Sequence, residues 1–262
     1  MRVWIRAAAV LGPGLPGWAA SRPVLRGEAP WQEAAVALPP PPGLPATERR
    51  RTGAVVRLAL AAAAEALAES GFAASALDSV FASSNGDGAV VGAILAALEE
   101  AEVAISPTQF HNSVHNAAVG YWGIAIGSTR PSVALGGFDA AFATGLMQAA
   151  AGVATSGRAA LFCAYDAPMP VPLAAVRPTA FPFAAALVLV PEPAGAQAAL
   201  SLGYVAEPAA EPALDGPLGA LIASNPAARA LPLLAALARG EAATLAFPLL
   251  EDAHLAVSVA PC

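Results

Sequence analysis

Apolar residues come in short continuous runs along this chain, separated by clusters of glycine, proline, serine and asparagine. The first run, residues 3–11 (VWIRAAAVL), predicts a strand entering the core, and GPGLPG stops it. Residues 12–50 are dense in proline and glycine, with PPPP at 39–42, and predict a long ordered loop over the surface. Thr52 is placed to cap a helix from Gly53 to Ser70, with Gly71 as its stop. Val55, Val56, Leu58, Leu60 and Leu67 wrap past a single stripe, so that helix should be largely buried. A short strand, SVFASS (79–84), then leads into NGDG, where Asp87 can cap a helix reaching about Ala101. Strand, turn and helix in that order begin a layered α/β domain.

The same pattern recurs downstream. Ile105 to Phe110 lead through HNSVHN into a small-residue helix, 116–126, whose Gly120 and Gly123 suit close backbone packing. PSVALGG (131–137) reads as a strand, followed at once by a helix with Phe142, Leu146, Met147 and Val153 near one face and Gly157 at its end. RAALFCAYDAP (158–168) and PFAAALVLVP (182–191) are continuous apolar runs, the pattern of strands covered on both faces. An Ala-, Pro- and Gly-rich stretch from Glu192 to Pro217 precedes a helix, Pro226 to Arg239, and a final strand, His254 to Val259. Residues 1–262 therefore read as one unit: an α/β half over 1–190, and a tail over 191–262 with one helix and one strand.

Composition adds a constraint. The chain is 57% apolar and only 12% charged, with a net charge of −6. That charge fraction is about half the globular average of roughly 25%. So little polar surface implies that a partner covers part of the exterior. All 13 basic residues are arginine and no basic run carries aromatic residues, which excludes nucleic acid as the expected partner. The apolar stretches around 140–154 and 181–190 are interrupted by Gln148 and Pro182, short of the roughly 18 residues a membrane span requires. Glycines and prolines at 12–17 break the apolar region that a secretory signal needs, and two cysteines, Cys163 and Cys262, make no disulfide framework. A cytoplasmic setting is expected.

GxSxG, HExxH, CxxC and GxxxxGK[ST] motifs are all missing from the sequence. His111 and His115 have a helical spacing that could share a metal, but no acidic residue or cysteine accompanies them, so no metal and no cofactor is expected. Asp139 follows a strand and opens a helix, which makes it either a simple N-cap or part of an anion site. Ser83, Ser84, Asn85 and Asp87 read as turn and cap residues, with no base placed to activate either serine. Arg49, Arg50 and Arg51 could meet a phosphate or a partner's carboxylates, or form a solvated face.

Four segments together resemble the amino-terminal half of a β-ketoacyl-acyl-carrier-protein synthase. They are ERRRTGAVVRLALAAAAEALAESGF, VFASSNGDG, SPTQFHNSVHNAAVGYWGIAIG and PSVALGGFDAAFATGLMQAA, within about residues 45–190. The last aligns without gaps on the family's strand, nucleophile turn and buried helix, and puts Asp139 where the family has its cysteine. The family's HGTGT-like and GHxxGAAG-like histidine segments have no counterpart, and His254 matches neither. LGPGLPGW, ERRR, FASSNGDG and LPLLAALA further resemble the truncated ketosynthase-like chain length factors of aryl polyene and related pigment clusters.

That resemblance implies a partial thiolase-like α/β/α fold, a single amino-terminal-type half with a short carboxy-terminal extension. It implies no condensing activity of the chain's own, and a full-length β-ketoacyl-acyl-carrier-protein synthase as heterodimer partner, with a homodimer as the alternative for the chain alone. Phe110, His111, His115, Asn116 and Phe142 would border the partner's acyl tunnel. Val114, Gly120, Tyr121, Trp122 and Val133 would form the interface, and Arg49, Arg50 and Arg51 would dock an acyl carrier protein. The alternatives are an acyl-thioester decarboxylase or hydrolase using Asp139 or His111, and a plain carrier-protein docking module.

Overall fold

The computed structural model describes residues 1–100, 102 and 104–262. Its strands are β1 (Arg2–Leu11), β2 (Asp78–Ser83), β3 (Ser132–Gly136), β4 (Ala160–Asp166), β5 (Phe183–Val190), β6 (Ala198–Val205), β7 (Ala243–Leu250) and β8 (Ala253–Pro261). They form one sheet in the order β3-β2-β4-β5-β1-β6-β8-β7. β2 runs parallel to both β3 and β4, and the other pairings are antiparallel. The helices are α1 (Trp18–Arg26), α2 (Ala46–Arg51), α3 (Ala54–Ser70), α4 (Gly88–Leu98), α5 (Pro107–Asn112), α6 (Ala117–Ile126), α7 (Ala141–Ser156), α8 (Pro217–Ser224) and α9 (Leu231–Arg239).

The two continuous apolar runs became the inner strands β4 and β5, in which every residue is buried. Side chains alternate across a pleated strand, so such a run serves two cores at once. Phe162, Phe183 and Leu187 point to the face covered by α1, α7, α8 and α9, while Leu161, Cys163, Tyr165 and Val188 point to the face covered by α3 and α6. Each fully buried ring or branched chain contributes roughly 1.5–3 kcal/mol. In β1 the alternation changes parity at Arg6, where the register with β5 shifts: Val3, Ile5, Ala8 and Val10 share one core, and Ala7, Ala9 and Leu11 the other. The layered α/β architecture agrees with expectation.

Several elements differ from the sequence reading. Residues 12–50 are not loop throughout, because they hold α1 and α2. The backbone N–H of Trp18, at the start of α1, donates to Glu65 Oε1 at 2.5 Å, a cap supplied by α3 from 47 positions away. Thr52 does not cap α3; that role falls to Gly53, and the Thr52 hydroxyl donates to the Arg49 carbonyl. Asp87 does cap α4, accepting from the Val90 N–H at 3.1 Å. Ala101, where that helix was expected to end, lies outside the described residues. The tail holds three strands and two helices rather than one of each, and β6 joins it to β1 in the same sheet.

Candidate functional site

The candidate site lies at the carboxy-terminal ends of β2, β3 and β4. Beyond β3 the chain turns tightly through residues 137–140 into α7, with Phe138 at φ 47°. A left-handed backbone is rare for a bulky residue and marks a constrained turn. The Phe138 ring is 71% exposed, and the Arg177 guanidinium lies 4.9 Å from its centre. Asp139 follows. Its Oδ1 accepts from Arg177 Nη2 at 2.8 Å, its Oδ2 lies 3.7 Å from Arg229 Nη2, and its carbonyl accepts from Arg229 Nη1 at 2.8 Å. Arg229 also pairs with Glu211 at 3.2 Å, and burial pushes the Glu211 carboxyl above its ordinary range.

Asp139 is therefore not the N-cap of α7, whose cap position is Ala140 with no side-chain bond. Nor does it receive an anion, since it is itself an anion gripped by two guanidiniums. An ion-paired carboxylate of this kind is a poor nucleophile. A cavity of about 400 Å³ adjoins it, lined by Phe138, Asp139, Glu211, Arg229, Pro248 and Glu251 among others.

Behind the turn lies a residue that the sequence reading missed. Asp166, at the end of β4, is fully buried, and its Oδ1 accepts from Ser83 Oγ at 2.8 Å, the Ser84 N–H at 2.9 Å and the Asn85 N–H at 3.2 Å. Its Oδ2 has no partner among the described residues. Desolvation raises its pKa to about 7, against the lowering effect of these donors and of Arg177. Sequence analysis placed no base to activate either serine, whereas the fold sets the Asp166 carboxyl against Ser83. Ser83 is nevertheless buried, and its Oγ accepts from the Gly86 N–H, which makes this arrangement a brace for the turn. That turn holds Arg177 in its place, through Ser84 Oγ at 2.6 Å and Asn85 Oδ1 at 3.4 Å.

The other candidates are only partly brought together. His115 Nε2 is 2.8 Å from the Leu135 carbonyl of β3, beside Gly136, so it belongs to the site's floor. His111 sits edge-on to Tyr121 at 5.8 Å, and Phe110 points outward, 68% exposed. Asn116 is exposed and makes no capping bond. Phe142 is in the core between Phe162 and Phe247, away from Phe110, so the two share no wall within this chain. Among the interface candidates, Val114 is exposed, Val133 half-buried, and Gly120 has nothing within 4 Å of where a Cβ would stand. Tyr121 and Trp122 instead belong to the chain's own core: Tyr121 donates to Asn112 Oδ1 and Trp122 to Ser79 Oγ. Arg49, Arg50 and Arg51 lie on the short exposed α2, where Arg51 pairs with Glu48 at 3.3 Å. Among the described residues, no group of three or more His, Cys, Asp or Glu could hold a metal, and no helix is long and apolar enough to cross a membrane.

A layered α/β half with a helix-opening turn at the end of its edge strand defines the class. The chain belongs to the β-ketoacyl synthase family: residues 22–246 match the family's amino-terminal domain. No curated protein matches the sequence. Among solved structures it is similar to the ketosynthase ApeO in complex with its chain length factor ApeC from Xenorhabdus doucetiae, at 22% identity and a TM-score of 0.73, over 98% of this chain and 99% of that one. It is also similar to the ishigamide ketosynthase/chain length factor, at 14% identity and TM-score 0.71, over 100% and 99% of the two chains. Against the ketosynthase from module 6 of the bacillaene synthase of Bacillus subtilis 168, identity is 12% and the TM-score 0.58, over 79% of this chain but 41% of that one. These likenesses establish the thiolase-like half fold.

Proposed function

We propose that this chain is a noncatalytic, ketosynthase-like chain length factor. In this reading it pairs with a full-length β-ketoacyl-acyl-carrier-protein synthase of aryl polyene or related biosynthesis and shapes the acyl tunnel of the pair. The observation that carries the proposal is an uncovered apolar rim. The eleven residues of α4 include no polar side chain, yet only Gly88 is buried, and Leu98 is 53% exposed. A helix apolar on all sides normally lies in a core. Phe110 on α5, Val114 between α5 and α6, Ile124 on α6 and Phe138 after β3 are exposed apolar side chains as well. Similarity to solved ketosynthase–chain length factor complexes supports a ketosynthase as the covering partner. The ion pairs at Asp139 speak against acyl-thioester chemistry by this chain alone.

Co-expression with a ketosynthase from the same gene cluster tests the pairing. A stable complex is expected, and independent elution of the two proteins would refute it. Within that complex Phe110 is the test of tunnel shaping. A growing polyene is rigid, and a clash the size of one ring brings overpacking strain of about 1–3 kcal/mol. That is roughly a fivefold to hundredfold bias against a further extension. Phe110→Ala should lengthen the products while the complex persists; an unchanged length distribution would leave the subunit as a scaffold for its partner.

A further inference from the structure

We propose that Asp139 is the chain's own occupant of a small-oxyanion site built by Arg177 and Arg229, and that its carboxylate keeps acidic ligands out of the adjoining cavity. Both guanidiniums are held by groups other than the Asp139 side chain. Arg177 donates to Ser84 Oγ at 2.6 Å and Asn85 Oδ1 at 3.4 Å, and stacks against Phe138. Arg229 pairs with Glu211 at 3.2 Å and donates to the Asp139 main-chain carbonyl at 2.8 Å. Truncating the Asp139 side chain leaves all of these contacts, so the donors stay aimed at the vacated position. Arginine forks suit carboxylate and phosphate oxygens alike, and donors fixed beforehand bind at lower entropic cost.

The charge balance points the same way. Among the described residues, Asp139 is the acidic group within 4 Å of Arg177, whereas Arg229 has Glu211 as well. The two arginine side chains are only 28% and 23% exposed, so water screens them incompletely. Asp139 itself is half exposed and borders the cavity of about 400 Å³, which gives a ligand of acetate or phosphate size both room and a way in. Glu211 and Glu251 also line that cavity and Arg177 does not, which restricts an added anion to the position the Asp139 carboxylate holds between the two arginines.

The test uses the isolated chain and so does not depend on any partner. Native protein, Asp139→Ala and Asp139→Ser are melted during titration with sodium acetate, and separately with inorganic phosphate, at ionic strength held constant by sodium chloride. Both variants should gain about 2–4 °C in Tm as the anion saturates the site, while the native protein shows no such gain. Adding Arg177→Gln to either variant should abolish the response. An equal response in the native protein, or one that survives Arg177→Gln, would overturn the proposal. If the variants do not fold in chloride alone, recovery of the fold on adding acetate is the expected readout, and failure to recover overturns it equally. A response to phosphate but not to acetate would identify the ligand class as phosphate, and the reverse as carboxylate.

Discussion

Asp166 shows what burial does to a single carboxyl. In the unfolded chain it ionises near its ordinary value of 3.8; in the fold, desolvation lifts this to about 7. Between those values the folded chain binds more protons than the unfolded one, so stability falls as pH rises and does not return above 7. The loss attributable to this residue is on the order of a few kcal/mol. Asp166→Asn should flatten the decline, as measured by urea unfolding from pH 4 to 8. Glu65, Asp87 and Glu211 are also raised by burial and contribute with the same sign, so the difference between variant and native protein is the quantity that matters. Identical slopes in the two would refute the assignment. Asp166 was not legible in the sequence, because its donors lie on the β2–α4 turn, more than 80 positions back along the chain. Asp139 was legible by position, but Arg177 and Arg229 lie 38 and 90 positions away, and no local pattern points to them.

At the scale of elements, legibility followed periodicity. β4 and β5 were readable because short apolar runs bounded by Gly157, Pro168, Pro182 and Pro191 suit strands covered on both faces. β6 was hidden in Ala- and Gly-rich surroundings, although Ala198, Leu200 and Leu202 do alternate inward against exposed Ser201 and Gly203. α1 carries Pro23 inside it, which argues locally against a helix. It forms because α3 supplies its cap, and because Trp18 and Leu25 are buried in the core that α1 shares with α9 and β1, a tertiary override of propensity. α4 was readable as a helix, but its exposure was not, since an all-apolar sequence predicts a core. That mismatch yields a prediction. Leu95→Glu should change the stability of the isolated chain by no more than about 0.5 kcal/mol, the usual range for exposed sites. In the proposed complex it buries a charge without a partner and should weaken binding to the ketosynthase at least tenfold, about 1.4 kcal/mol. Binding measured by titration calorimetry and equal to native would place α4 outside the interface.

For the whole molecule, the sheet has two ends, and they differ. β7 carries Pro248, which cannot donate to a further strand, a common way of closing an edge. Among the described residues β3, which carries no proline, pairs only with β2, leaving its other side unpaired beside the open face of α6. The glycines of α6 were expected to serve close backbone approach. Among the described residues nothing uses that space: a Cβ at Gly120 would meet no atom within 4 Å, and one at Gly123 only the Ser128 carbonyl at 3.7 Å. A partner seated on β3 and α6 would supply the missing contacts, and an obligate interface of this kind buries more than about 2,000 Å². Gly120→Leu separates the two roles. In the isolated chain the side chain enters open space and replaces a poor helix former, a change that favours the helix by up to about 1 kcal/mol. In the proposed complex the same side chain would stand in the way of a partner seated on α6. The variant should therefore melt no lower than the native chain, yet elute from size-exclusion chromatography with light scattering as a monomer that ignores the ketosynthase. A variant that still forms the complex would move the interface away from α6 and leave the open space beside Gly120 without a function.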